Sequence, residues 1–171
     1  EAILHGAWIV SYEWIEESSR AGKWLHEAEY EIQGDTTVGI SDGPSRARIA
    51  IKETEGEENS IFTGLSFGLL GKFTKGIARN DLITLLKKGG ATYVCRSLPS
   101  ASLSFQGRFI VILDKDLVPP ESTDVLRRFQ GSLKGLSASA RGAIEIVNTD
   151  WLLDSLSRYS LQDVSLYAPG T

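Results

Sequence analysis

Residues 7–19 read AWIVSYEWIEESS, and residues 144–156 read IEIVNTDWLLDSL. The two stretches align at an offset of 137 residues (144 − 7). Ile9-Val10 and residues 144–147 are rich in β-branched side chains, which favour a strand. Ser11 and Asn148 follow at once, and both residue types are favoured helix N-caps. Glu13 and Asp150 then fall where a first helical turn welcomes negative charge. Trp14 and Trp151 come next. From Trp151 the apolar residues Leu152, Leu156 and Tyr159 continue at helical spacing. Each copy reads as a strand, a capped turn and a helix with a Trp near its start. A chain that repeats such a unit is expected to hold tandem domains.

Working outward, the second copy has a full domain before it. LSFGLLG (65–71) is a short apolar strand ended by glycine. RNDLITLLKKGG (79–90) is a helix with Leu82, Leu85 and Leu86 on one face and glycines as its stop. ATYVCR (91–96) and RFIVILD (108–114) are strands. STDVLRRFQ (122–130) reads as a helix capped by Ser122. The order β-α-β-β-α-β-α predicts an α/β domain with a mainly parallel sheet flanked by helices.

The first copy has only EAILHG before it, the end of a helix and its glycine stop. Residues 31–59 are rich in Gly, Asp, Thr, Ser, Pro and Glu, a linker-like composition. Within them IAIKETEGEE has two readings, a short helix or a solvated arm. The expected division is 1–30, part of a first repeat incomplete at its N-terminus; 31–59, linker; 60–165, second repeat; 166–171, tail.

Composition narrows the function. The net charge of −4 over 171 residues argues against a grip on nucleic-acid backbone, and no run of 18 apolar residues spans a membrane. The opening EAILHGAW lacks a basic n-region and is not read as a signal peptide. Cys95 is the single cysteine, which fits a reducing compartment. Enzyme signals fail. GLLGKFT (68–74) lacks the phosphate-loop spacing, because Ser66 and Phe73 stand where glycine and Ser/Thr are required. His5, His26 and Cys95 are too few and too scattered for a zinc site. No metal or cofactor is expected.

Taken together, Trp14, Trp151, the glycine after the first strand (Gly71) followed by Phe73, and the pair Gly89-Gly90 resemble the BRCT family of phosphopeptide-recognition repeats. WIVSYEWIEES, YEI, GD, GPSRAR and IFTGL also come in the order found in the tandem repeats of two family members that are partners, one of them a RING-domain protein. The resemblance implies a four-stranded parallel sheet flanked by helices, in tandem. It implies a non-enzymatic module of a nuclear DNA-damage response or repair protein. A parent chain has room for a ubiquitin-ligase RING domain elsewhere. The implied partner is a phosphorylated protein or peptide, with chromatin or histone as a further case, and neither sequence-specific nucleic acid nor membrane. The alternative is a phosphate-independent scaffold.

The family seats phosphoserine on a Ser-Gly pair and a Lys of the first repeat, which by alignment fall upstream of Glu1. In the second repeat the Ser-Gly position is Leu70-Gly71, which offers no hydroxyl. Aligned on GKFT, Lys75 and Gly76 fall at positions of the peptide groove between the repeats. Leu153 falls at its apolar floor, and Thr149 where a family member has a peptide-holding arginine. Other readings stand beside these. Trp14 and Trp151 are core residues, since a Trp at a helix–sheet junction buries a large area. Leu153 reads equally as core, and Lys75 as a solvated lysine. Arg46 and Arg48 form a weak basic patch or pair with Glu16, Glu17 or Asp154.

Overall fold

The computed structural model describes residues 1–36, 39–53, 60–95, 107–135, 137, 141 and 143–169. The end of the 91–96 strand, at Arg96, lies outside them, as does the whole of the Glu-rich run at 54–59. The chain divides into two compact units, Glu1–Ile61 with Asp154–Leu161, and Phe62–Leu153 with Gln162–Thr171.

The first unit opens with a 3-10 turn, Ile3–His5, closed by Gly6 in the left-handed region. Helix α1 spans Glu13–Ala21 and ends at Gly22, whose φ is +65°. The expected strand at Ile9-Val10 is reduced to an antiparallel bridge between Val10 and Glu31, flanked by Ile32 N–H to the Ile9 carbonyl at 2.8 Å. Ser11 does not cap α1 with its side chain, because the helix starts one residue too late. Its hydroxyl bonds Glu13 instead. That bond, and then Glu13's own backbone, hold the Glu13 carboxyl below its ordinary value.

The linker-like stretch is ordered where it is described. Gly34–Asp35 (β1) pairs antiparallel with Gly39–Ile40 (β2), and helix α2 runs Gly43–Glu53. So IAIKE is the end of a helix rather than an arm. Ala47 of α2 is fully buried, and α2 packs on the Ile3–His5 turn. Arg48 pairs with Glu31, which is not among the expected carboxylates. Both its terminal nitrogens reach the Glu31 carboxylate, and its guanidinium lies 3.5 Å over the Trp8 ring. A planar fork suits both contacts.

In the second unit β3 (Ser66–Leu70), α3 (Arg79–Lys88), β4 (Tyr93–Cys95), β5 (Phe109–Leu113), α4 (Glu121–Ser132), β6 (Ile144–Asn148) and the start of α5 (Thr149–Arg158) follow in the expected order. The four strands are all parallel, in the order β4-β3-β5-β6. Every residue of β3 and β5 is buried, as unbroken apolar central strands require. Alternation splits their side chains between two layers. Leu70, Phe109, Val111 and Leu113 meet Phe129 of α4. Phe67 points the other way, with ring contacts to Phe62 at 5.3 Å and to Trp151 at 6.3 Å. Ser122 is not the cap of α4, which begins at Glu121 after Pro120 without a side-chain cap. Gly89 ends α3 pressed on Phe62, where a Cβ would come within 2.3 Å of the ring.

The sequence echo continues in the backbone. The indole N–H of Trp14 donates to the Leu25 carbonyl at 3.0 Å, and that of Trp151 to the Gln162 carbonyl at 2.9 Å, eleven residues on in both. Gly22 and Tyr159, 137 apart, both have positive φ. His26 and Asp163 each accept an amide hydrogen bond at the head of a 3-10 turn. The surroundings differ. Trp151 is 0% exposed. Trp14 is only half-buried, stacked at 5.0 Å on Trp24, which is 75% exposed. Trp151 is therefore a core residue, whereas Trp14 is half-buried and stacks on an exposed ring.

Candidate peptide-facing site

In the second unit the chain leaves β3 for β4 on one side and returns to β5 on the other. The carboxyl ends of strands at such a reversal are where open α/β sheets receive ligands. These ends are Leu70 and Leu113, in register, with Asn148 beside Leu113. Gly71, Asp114 and Thr149 come one residue later.

Gly71 has φ +136°, and a Cβ there would lie 2.2 Å from Asp114 Cβ, so only glycine fits. Asp114 is 5% exposed. Its amide donates to the Leu70 carbonyl at 2.9 Å. Its carboxylate accepts the Phe73 amide at 2.6 Å through Oδ2 and the Asp116 amide at 3.2 Å through Oδ1. The crevice at the reversal thus already holds an anion. A phosphate there would face a like charge and no hydroxyl from Leu70.

The loop 71–78 leaves this edge. Phe73 is buried with φ +53°. Arg79, at the start of α3, donates to the carbonyls of Leu69 (3.3 Å) and Gly71. Its guanidinium lies 4.9 Å from the Phe73 ring centroid. Lys72 pairs with Glu121 at 2.9 Å, and that carboxylate, by hydrogen bond and then by charge, holds the exposed ammonium above its ordinary value. Lys75 and Gly76 are exposed on the same loop. Gly76 has φ +67°, and a Cβ would project into open space.

Thr149 and Leu153 lie one turn apart on α5, hence on one face. Thr149 is buried, and its hydroxyl donates to the Leu113 carbonyl at 3.2 Å. Leu153 is half-buried. Asn148 heads this helix as its residue type suggested: its side-chain oxygen accepts the amides of Asp150 (3.0 Å) and Trp151 (3.3 Å). Lys115 bonds Asp150 at 2.7 Å. Sequence reasoning missed Asp114 and Arg79. Each reads as an ordinary charged residue at the end of a strand or the start of a helix, and nothing local marks a backbone-binding role.

Among the described residues no group of three or more His, Cys, Asp or Glu is arranged to hold a metal, and no helix is long and apolar enough to cross a membrane.

The second unit thus has a four-stranded parallel sheet flanked by helices, a buried Trp early in the last helix and a glycine wedged where the first helix ends, the architecture that the resemblance to BRCT repeats implies. No family model matches the chain. Its similarity to individual proteins is nearly end to end. It is 31% identical over 168 residues, 96% of its length, to the breast cancer type 1 susceptibility protein homolog of Mus musculus. It is 29% identical over 170 residues, 95% of its length, to BRCA1-associated RING domain protein 1 of Arabidopsis thaliana. The chain spans 8% and 23% of those two proteins. Among solved structures it is similar to the C-terminal BRCT domain of human XRCC1, at 20% identity and a TM-score of 0.44, covering 66% of this chain and 95% of that one.

Proposed function

We propose that this chain is a non-enzymatic protein-interaction module of a nuclear DNA-damage response or repair protein, and that it reads a partner bearing phosphoserine. The observation that carries this reading is the nearly end-to-end similarity to the two relatives above, joined to a duplicated strand–helix unit. The Asp114 carboxylate at the second unit's sheet edge argues that the phosphate is not received there. In this reading the phosphate belongs to the first repeat, completed by sequence upstream of Glu1. Lys75, Gly76 and Leu153 of the second unit meet the residues that follow the phosphoserine. Thr149, its hydroxyl already spent on Leu113, shapes the floor rather than donating to the peptide. A phosphorylated chromatin protein is one such partner.

The test titrates phosphorylated and unphosphorylated forms of one peptide against the full-length protein. The phosphorylated form is expected to bind at least tenfold more tightly, a difference of about 1.4 kcal/mol. Equal affinities would overturn the phosphate reading and leave a phosphate-independent scaffold. Leu153→Arg is expected to weaken the phosphorylated form by placing a charge where an apolar side chain enters. Leu70→Ser is expected to leave it unchanged.

A further inference from the structure

We propose that Asp114 is the positioning residue that holds the loop 71–78 in its peptide-receiving shape; this rests on the reading that Lys75 and Gly76 of that loop meet the peptide. The loop begins with two backbone conformations that L-residues rarely adopt, Gly71 at φ +136° and Phe73 at φ +53°. A bulky aromatic stays in the left-handed region only where its surroundings over-determine it. Three contacts do so here. Asp114 Oδ2 accepts the Phe73 amide inside the protein, at 2.6 Å. The Phe73 ring is buried under the Arg79 guanidinium. Arg79 also holds the carbonyls of Leu69 and Gly71 on the other side of the turn.

Asp114 ties the loop to the neighbouring strand β5. Its backbone is paired with Leu70, so its carboxylate is registered to the sheet before it reaches the loop. The second oxygen takes Asp116 N–H, which fixes the carboxylate plane. Gly71 makes the approach possible, since any side chain there would collide with Asp114. The loop therefore leaves the sheet in one direction. Beyond this clasp Lys75 and Gly76 are exposed, and Gly76 meets nothing within 4 Å of a Cβ. The contact residues do not hold themselves in place; the clasp at their base does. A loop ordered in advance loses less entropy on binding, so the clasp acts on affinity without touching the peptide.

The experiment pairs Asp114→Ala with the milder Asp114→Asn in the full-length protein. Two readouts are taken: affinity for a phosphoserine peptide, and amide exchange at Phe73 against the core amides of Ile110 and Val147. Asp114→Ala leaves the Phe73 amide unpaired. It is expected to weaken the peptide about tenfold and to speed Phe73 exchange by a similar factor or more, with Ile110 and Val147 unchanged. Asp114→Asn keeps one acceptor oxygen but turns an NH2 toward either the Phe73 or the Asp116 amide, and is expected to lose about threefold. Parent affinity in Asp114→Ala, with Phe73 exchanging at the parent rate, would overturn the proposal. If Asp114→Ala does not fold, Asp114→Asn decides: parent values in both readouts overturn it, and partial losses in both support it. A parent that ignores phosphate overturns the functional reading first, and is told apart from failure of the clasp because it appears before any substitution is made.

Discussion

Trp14 and Trp151 occupy equivalent places in the repeat, so replacing each by alanine measures environment rather than chemistry. Trp151 is fully buried, with Phe62 and Phe67 at 6.2 and 6.3 Å and its N–H on the Gln162 carbonyl. A buried Trp hides roughly 150–250 Å². At about 25 cal/mol per Å² that burial is worth roughly 4–6 kcal/mol, near the ~3–5 kcal/mol typical of Trp-to-Ala changes in cores. Trp14 keeps the same kind of hydrogen bond but is half-exposed, stacked on the exposed ring of Trp24. Its removal should cost about 1–2 kcal/mol, a stacking term plus partial burial. Urea unfolding followed by far-UV circular dichroism reads both. With a slope of about 2 kcal/mol/M, Trp151→Ala should lower its transition midpoint by roughly 2 M and Trp14→Ala by roughly 0.5–1 M. Equal shifts would refute the claim that burial, and not position in the repeat, sets the cost.

Gly89→Ala should destabilise the second unit by about 1–3 kcal/mol, because the new methyl meets the Phe62 ring in a filled core; a thermal melt matching the parent would contradict that packing. Arg48→Ala should cost about 1–3 kcal/mol by stranding the largely buried Glu31 carboxylate and uncovering Trp8. Arg48→Lys should recover little of it, as amide exchange at Ile32 would report. Glu13, fully exposed, has its carboxyl held below the ordinary 4.5 by Ser11 first, so its contribution is present above that value and fades as pH falls through the lowered one. Ser11→Ala should move the Glu13 titration, followed by NMR, back up toward 4.5, and an unmoved titration would remove Ser11 as the cause.

The second unit was legible because its signals are local and strong. Unbroken apolar runs gave β3 and β5, and glycine-stopped leucine spacing gave α3. The sheet order was not legible, since strand spacing alone does not say which neighbour β3 takes. The first unit was harder to read. Ile9-Val10 looks like a strand, yet its one bridge goes antiparallel to Glu31, a pairing that β-branching cannot foretell. Residues 43–53 look like linker because Gly, Pro, Ser and Arg open them, although Ala47 is buried. At the candidate site, the lack of a hydroxyl at Leu70-Gly71 was legible from the residue types alone. The carboxylate that fills the crevice was not, because Asp114 arrives from 43 residues downstream of Gly71 (114 − 71).

The stacked pair Trp14–Trp24 has an optical consequence. Indole emission follows solvent contact, so these two rings, one of them three-quarters exposed, should emit to the red of the sealed Trp151. The chain carries four Trp in all, and Trp8 lies under the Arg48 guanidinium. Any molecule that settles over α1 should therefore announce itself by a blue shift in the red component alone. The protein needs no added label for that surface: Trp151 serves as the internal reference, and Trp24 as the indicator.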